Sequence, residues 1–115
     1  MNIELIYDAL ESLGLKRLDC QLYVFLAKNG PHKCHDLCQS FGLAKQQVYP
    51  SLKRLREKTV VTFSFDRPAI IFAKPFEIVL NLLIQSKVQE AEKTLDNKDQ
   101  ILRAWQLMLE GEFTI

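Results

Sequence analysis

Gln46 and Gln47 stand side by side in a stretch, residues 42–61, that also carries Lys45, Lys53, Arg54 and Arg56. A Gln amide offers a donor and an acceptor in the spacing of the N6 and N7 edge of adenine; Arg reads guanine or, like Lys, holds a phosphate. In the same stretch Val48, Leu52 and Leu55 recur at i, i+4 and i+7, which makes one apolar stripe on an α-helix. At about 100° per residue, Gln46, Pro50, Lys53 and Glu57 point most directly away from that stripe, flanked by Gln47 and Arg54. An outward face of amides and bases on a short helix suits the edges of bases in a major groove.

A second cluster invites metal chemistry. His32, Cys34, His35 and Cys38 fall within seven positions, and Cys34 and Cys38 share a helix face. A zinc site draws paired ligands from two separated elements, and no second pair follows. The two cysteines therefore read as small inward residues flanking Leu37, with no metal and no cofactor expected. The chain has no glycine-rich phosphate loop and its carboxylates lie scattered, so no enzyme is expected.

The elements that must carry these residues follow from periodicity and breakers. Ile3, Ile6, Leu10 and Leu13 predict a first helix capped by Asn2 and stopped at Gly14. Leu18, Leu22, Phe25 and Leu26 predict a second, ended by Asn29, Gly30 and Pro31. A short helix over 33–40 and a turn at Phe41, Gly42 and Leu43 lead into a helix over about 44–58, the pattern of a helix-turn-helix. Val60, Val61, Phe63 and Phe65 then predict a strand, Asp66, Arg67 and Pro68 a turn, and residues 69–72 a returning strand, together a wing. From about Phe76 a single long helix is predicted towards Glu110. Ile84, Val88, Ala91, Leu95, Lys98, Leu102, Trp105 and Leu109 alternate spacings of four and three in it, the rhythm of a coiled-coil seam broken only by Lys98. A small domain cannot cover such a seam, so a second copy of the chain is the expected partner.

Composition sets the bounds. A chain of 115 residues with 48% hydrophobic and 25% charged residues is large enough for one modest core. No apolar run reaches the ~18 residues of a membrane span, the amino-terminal residues are not those of a signal peptide, and three cysteines lack framework spacing, so a reducing cytoplasm is expected. Net charge is only +1, but residues 31–67 hold seven bases and three acids, against three and four in 1–30 and five and seven in 68–115. The basic balance is concentrated around the helix-turn-helix, where it steers a protein onto phosphates.

In order and in residues, the chain resembles the TrmB family of archaeal-type transcriptional regulators. The resemblance rests on Leu13-Gly14-Leu15, Leu22-Tyr23, Gly30-Pro31, Asp36-Leu37, Val48-Tyr49, Leu52 with Leu55, and Val60-Val61, and covers roughly residues 10–75. Tyr49-Pro50-Ser51-Leu52 is also similar to the PadR family, the second choice. The chain departs from the TrmB pattern at Lys16, where a small hydroxyl cap is usual, at Pro50 inside the recognition helix, and at Thr59, where that helix often ends in Gly. The resemblance implies a DNA-binding regulator; the sugar-sensing domain of many relatives does not fit in this length, and any effector is unknown.

The expected protein is mainly α with a small β-hairpin: a winged helix-turn-helix over 1–75 and a long dimerisation helix over 76–115. It would bind double-stranded DNA through Lys45, Gln46, Gln47, Pro50, Ser51, Lys53, Arg54 and Arg67, and pair as a homodimer through Ile84, Val88, Ala91, Leu95, Leu102, Trp105 and Leu109, with no membrane involved. Pro50 either kinks its helix or meets a thymine methyl. The rival readings are a winged helix that binds other proteins, which the near-neutral total charge suits, and an architectural DNA binder without sequence preference.

Overall fold

The computed structural model describes residues 2–111. Within them run, in order, α1 (Ile3–Ser12), α2 (Arg17–Asn29), β1 (His32–Lys33), α3 (Cys34–Phe41), α4 (Lys45–Glu57), β2 (Val61–Phe63), β3 (Ile70–Ala73), α5 (Phe76–Asp96) and α6 (Lys98–Leu109). The strands form one antiparallel sheet in the order β1-β3-β2, with His32 opposite Ile71 and Thr62 opposite Phe72. This is a mainly helical winged helix-turn-helix.

Local chemistry explains the element ends. Asn2 caps α1 by accepting the Leu5 N–H at 3.2 Å. Gly42, at φ 62°, closes α3: its N–H reaches the Gln39 carbonyl at 3.3 Å and the Leu43 N–H reaches the Cys38 carbonyl at 3.1 Å, a Schellman end. The same device ends α4, where the Val60 N–H bonds the Leu55 carbonyl at 3.1 Å. There, however, the left-handed position at φ 62° is held by Thr59, a β-branched residue for which that conformation is strained.

The core of the winged unit joins every layer. Leu10 of α1, Leu22, Tyr23 and Leu26 of α2, Leu37 of α3, Val48, Leu52 and Leu55 of α4, Val61 and Ile71 of the sheet, and Val79 and Leu83 of α5 are all buried. Tyr23 keeps its hydroxyl satisfied there by donating to the Lys74 carbonyl at 2.6 Å, and burial pushes its phenol up to about 12. Among the described residues no buried side-chain nitrogen or oxygen lacks a partner.

Three elements differ from expectation. The hairpin gains a third strand, because His32 and Lys33 pair with β3, and α3 opens at Cys34 and not at Lys33; two residues are too few to show alternation. The strand expected through Phe65 ends at Phe63, and Phe65 is fully exposed at 103%. The Ser64 hydroxyl accepts the N–H groups of Ile70 at 2.8 Å and Asp66 at 3.4 Å, which turns the chain out of the strand there. The single tail helix is interrupted at Asn97 (φ −96°, ψ 6°), giving α5 and α6. The winged unit also reaches beyond residue 75: the chain divides into compact units at Leu83 and Ile84, since α5 begins by burying Val79 and Leu83.

Candidate nucleic-acid interface

α3 and α4 are joined by Gly42, Leu43 and Ala44, and α4 starts where the Gln47 side-chain carbonyl accepts the Ala44 N–H at 3.2 Å. Gln47 is therefore partly occupied as a helix cap, with its amide NH2 left as donor. Lys45, Gln46, Gln47, Tyr49, Pro50, Lys53 and Arg56 are exposed along the helix, and Val48, Ser51, Leu52 and Leu55 are buried. Pro50, the sixth residue of α4, lies inside a helix that continues through it. Lacking an N–H, it leaves the Gln46 carbonyl without its usual partner four residues on. The Lys45 ammonium lies 5.8 Å from the Tyr49 ring centre, and the Arg56 guanidinium 4.5 Å from that of Phe63, tying α4 to the wing strand.

Two residues expected on the DNA-facing side are turned to another task. Ser51 is fully buried and donates its hydroxyl to Asp19, itself fully buried in α2. Arg54 sends Nε to one oxygen of that carboxylate at 3.2 Å and Nη2 to the other at 2.8 Å, which leaves its side chain 33% exposed. The Lys16 N–H adds a longer contact of 3.4 Å at the start of α2. These hydrogen bonds raise the Arg54 guanidinium above its ordinary range, so it stays charged beside the carboxylate. The physical reason for the correction is angular: the buried arc of α4 is wider than its three-residue stripe and takes in position 51, with 54 at its rim.

The Asp19 network sets which way α4 faces. Ser51 and Arg54 are one turn apart, so a bidentate grip on both from α2 fixes the helix against rotation about its axis. With that rotation set, Gln46, Pro50 and Lys53 face solvent together. The one local mark of Asp19 is an acid among the apolar positions of an amphipathic helix, since its partners lie 32 and 35 residues away. Arg67 is exposed at the wing tip, followed by a cis peptide to Pro68.

The second unit presents the expected seam uncovered. Ile84, Val88, Ala91, Leu95, Leu102, Trp105 and Leu109 are all exposed, Trp105 at 55%, and α6 buries no residue. Ile101 joins them. The break at Asn97 gathers Ala91, Leu95, Lys98, Ile101 and Leu102 around a hollow of about 340 Å³, so Lys98 sits at the bend of the seam.

The family described as "Sugar-specific transcriptional regulator TrmB" matches residues 10–77, from α1 to the start of α5. The chain belongs to the TrmB family. The PadR likeness is not needed. No curated protein sequence matches this TrmB-family chain significantly. Among solved structures, a possible transcriptional regulator from Methanosarcina mazei is similar with a TM-score of 0.59 and 24% identity, covering 85% of this chain and 86% of that one. The transcriptional regulator Tm0710 from Thermotoga maritima follows with 0.56 and 22%, covering 94% and 85%. The YusO protein from Bacillus subtilis gives 0.57 and 13%, covering 91% and 79%. At these identities the neighbours establish the fold, and the family makes the chain a DNA-binding type of regulator. No helix among the described residues is long and apolar enough to cross a membrane.

Proposed function

We propose that this TrmB-family chain works in the cytoplasm as a homodimer that reads a specific duplex DNA site, with α4 in the major groove and the wing over the neighbouring minor groove. The observation that carries the reading is the exposed amide and basic face of α4, aimed outward by the Asp19 network. Gln46 pairs with adenine, Gln47 contributes its free NH2, and Pro50 offers an apolar contact to a thymine methyl. Lys45 and Lys53 hold phosphates, and Arg67 reaches a narrow minor groove. The exposed seam from Ile84 to Leu109 pairs two copies, placing their recognition helices about one helical turn, ~34 Å, apart on a pseudo-palindromic site.

Selection of bound duplexes from a random library by the purified chain tests this directly. A two-fold motif should emerge and survive competitor DNA. Enrichment of no motif would leave a non-specific binder or a protein-interaction module, the reading that the net charge of +1 favours.

A further inference from the structure

Cys34 and Cys38 stand one turn apart on α3. Both are free and half-buried, and both line a cavity of about 340 Å³ shared with His35, Lys45 and Pro68. Cys20, by contrast, is enclosed in the core, and burial pushes its thiol up to about 11. Burial, and next the neighbouring Cys38, push the Cys34 thiol up as well, while the Lys45 ammonium acts in the opposite sense. Oxidising reagents require a thiolate, which the rise at Cys34 disfavours, and this argues against a peroxide sensor. A soft cation is another matter, because it displaces the protons itself.

The donor set selects the cation. Among the described residues no group of three or more His, Cys, Asp or Glu side chains is placed to hold a metal ion, so tetrahedral zinc is not served. Two sulfur ligands at helical spacing serve a soft ion content with two, and thiolate softness favours monovalent copper. We propose that Cys34 and Cys38 form a two-thiolate Cu(I) site in the cavity between α3, the start of α4 and the wing. Two S–H bonds break, two Cu–S bonds form, two protons leave to solvent, and the copper stays monovalent. The resulting complex carries one negative charge, and the Lys45 ammonium on the same cavity wall supplies the counter-charge. Lys45 is also the first residue of α4. On the DNA-binding reading proposed above, on which this consequence alone rests, copper draws Lys45 inward and weakens phosphate contact.

The test is anaerobic titration of the full chain with Cu(I) against excess bathocuproine disulfonate, followed by native mass spectrometry. One copper per chain, two protons released per ion, and loss of binding in both C34S and C38S but not in C20S are the expected results. Copper left entirely with the competitor, or retained equally in C34S and C38S, overturns the site. Circular dichroism checks the fold of each variant, and the proton count on the unaltered chain decides the matter if a variant misfolds. On a selected duplex, loading should lower affinity about tenfold through the loss of one phosphate contact, and K45A should abolish the difference. Equal affinity with and without copper overturns the coupling. If the chain binds no duplex in either state, the DNA reading fails while the copper result stands; a copper-free chain that binds its duplex gives the reverse.

Discussion

In residues 2–83, apolar side chains at helical spacing lie inside: Val48, Leu52 and Leu55 are all fully buried. From Ile84 onward, side chains with a similar spacing lie outside, as Leu95, Leu102, Trp105 and Leu109 do. The polar groups divide in the same way. The first unit closes even a carboxylate, Asp19, into a satisfied network, whereas the second offers no buried residue in α6. The difference teaches that periodicity reports an apolar face but not what covers it. A winged unit with helices on several sides and a sheet supplies its own cover, and two helices in sequence do not.

The sharpest way to break this comparison is to open the first unit from within. R54A leaves the buried Asp19 carboxylate without its guanidinium partner, so unfolding in denaturant should show a loss of about 3 kcal/mol. A loss below about 1 kcal/mol would place Arg54 among ordinary surface bases and return it to the DNA-contact set.

The second unit is probed by W105A. A central aromatic anchor contributes about 2 kcal/mol to association, which is about thirty-fold in the dimer dissociation constant; sedimentation equilibrium reads it directly. A monomeric parent chain, or a dimer indifferent to this change, would show that the seam pairs with something else.

Q46A leaves both units intact and removes one reader. Affinity for a selected site should fall about tenfold, from a loss of 1–3 kcal/mol in a bidentate pair, with binding to random duplex unchanged. An equal fall on both duplexes would make Gln46 a positioning contact only. The smallest effect is a gain: T59G relieves the left-handed strain at the end of α4 and should raise stability by about 1 kcal/mol. An unchanged melting midpoint would mean that the Thr59 position is not strained in solution.

Much of the fold was legible. The helix-turn-helix, the apolar stripe of α4 and the wing come from local patterns that act within a turn or a strand. The candidate site was legible only in part. Gln46, Lys53 and Pro50 were placed correctly on the open face, because opposition to a stripe is a local angle. Ser51 and Arg54 were not, because their partner belongs to another helix. Gln47 carries two signals at once, an outward position that suits a reader and, three residues after a helix start, a capping position that its bond to the Ala44 N–H fulfils. The two-residue strand β1 left no pattern, and neither did the break at Asn97, where the seam continues across the interruption.

By itself, the sequence determined which faces are apolar, where helices start and stop, and where basic charge gathers, since these depend on residues within a few positions of each other. Only the tertiary structure decided that Asp19 grips Ser51 and Arg54, that Cys34 and Cys38 share a cavity with Lys45, and that the seam remains uncovered. Those outcomes depend on which distant surfaces meet, and a one-dimensional pattern does not specify that.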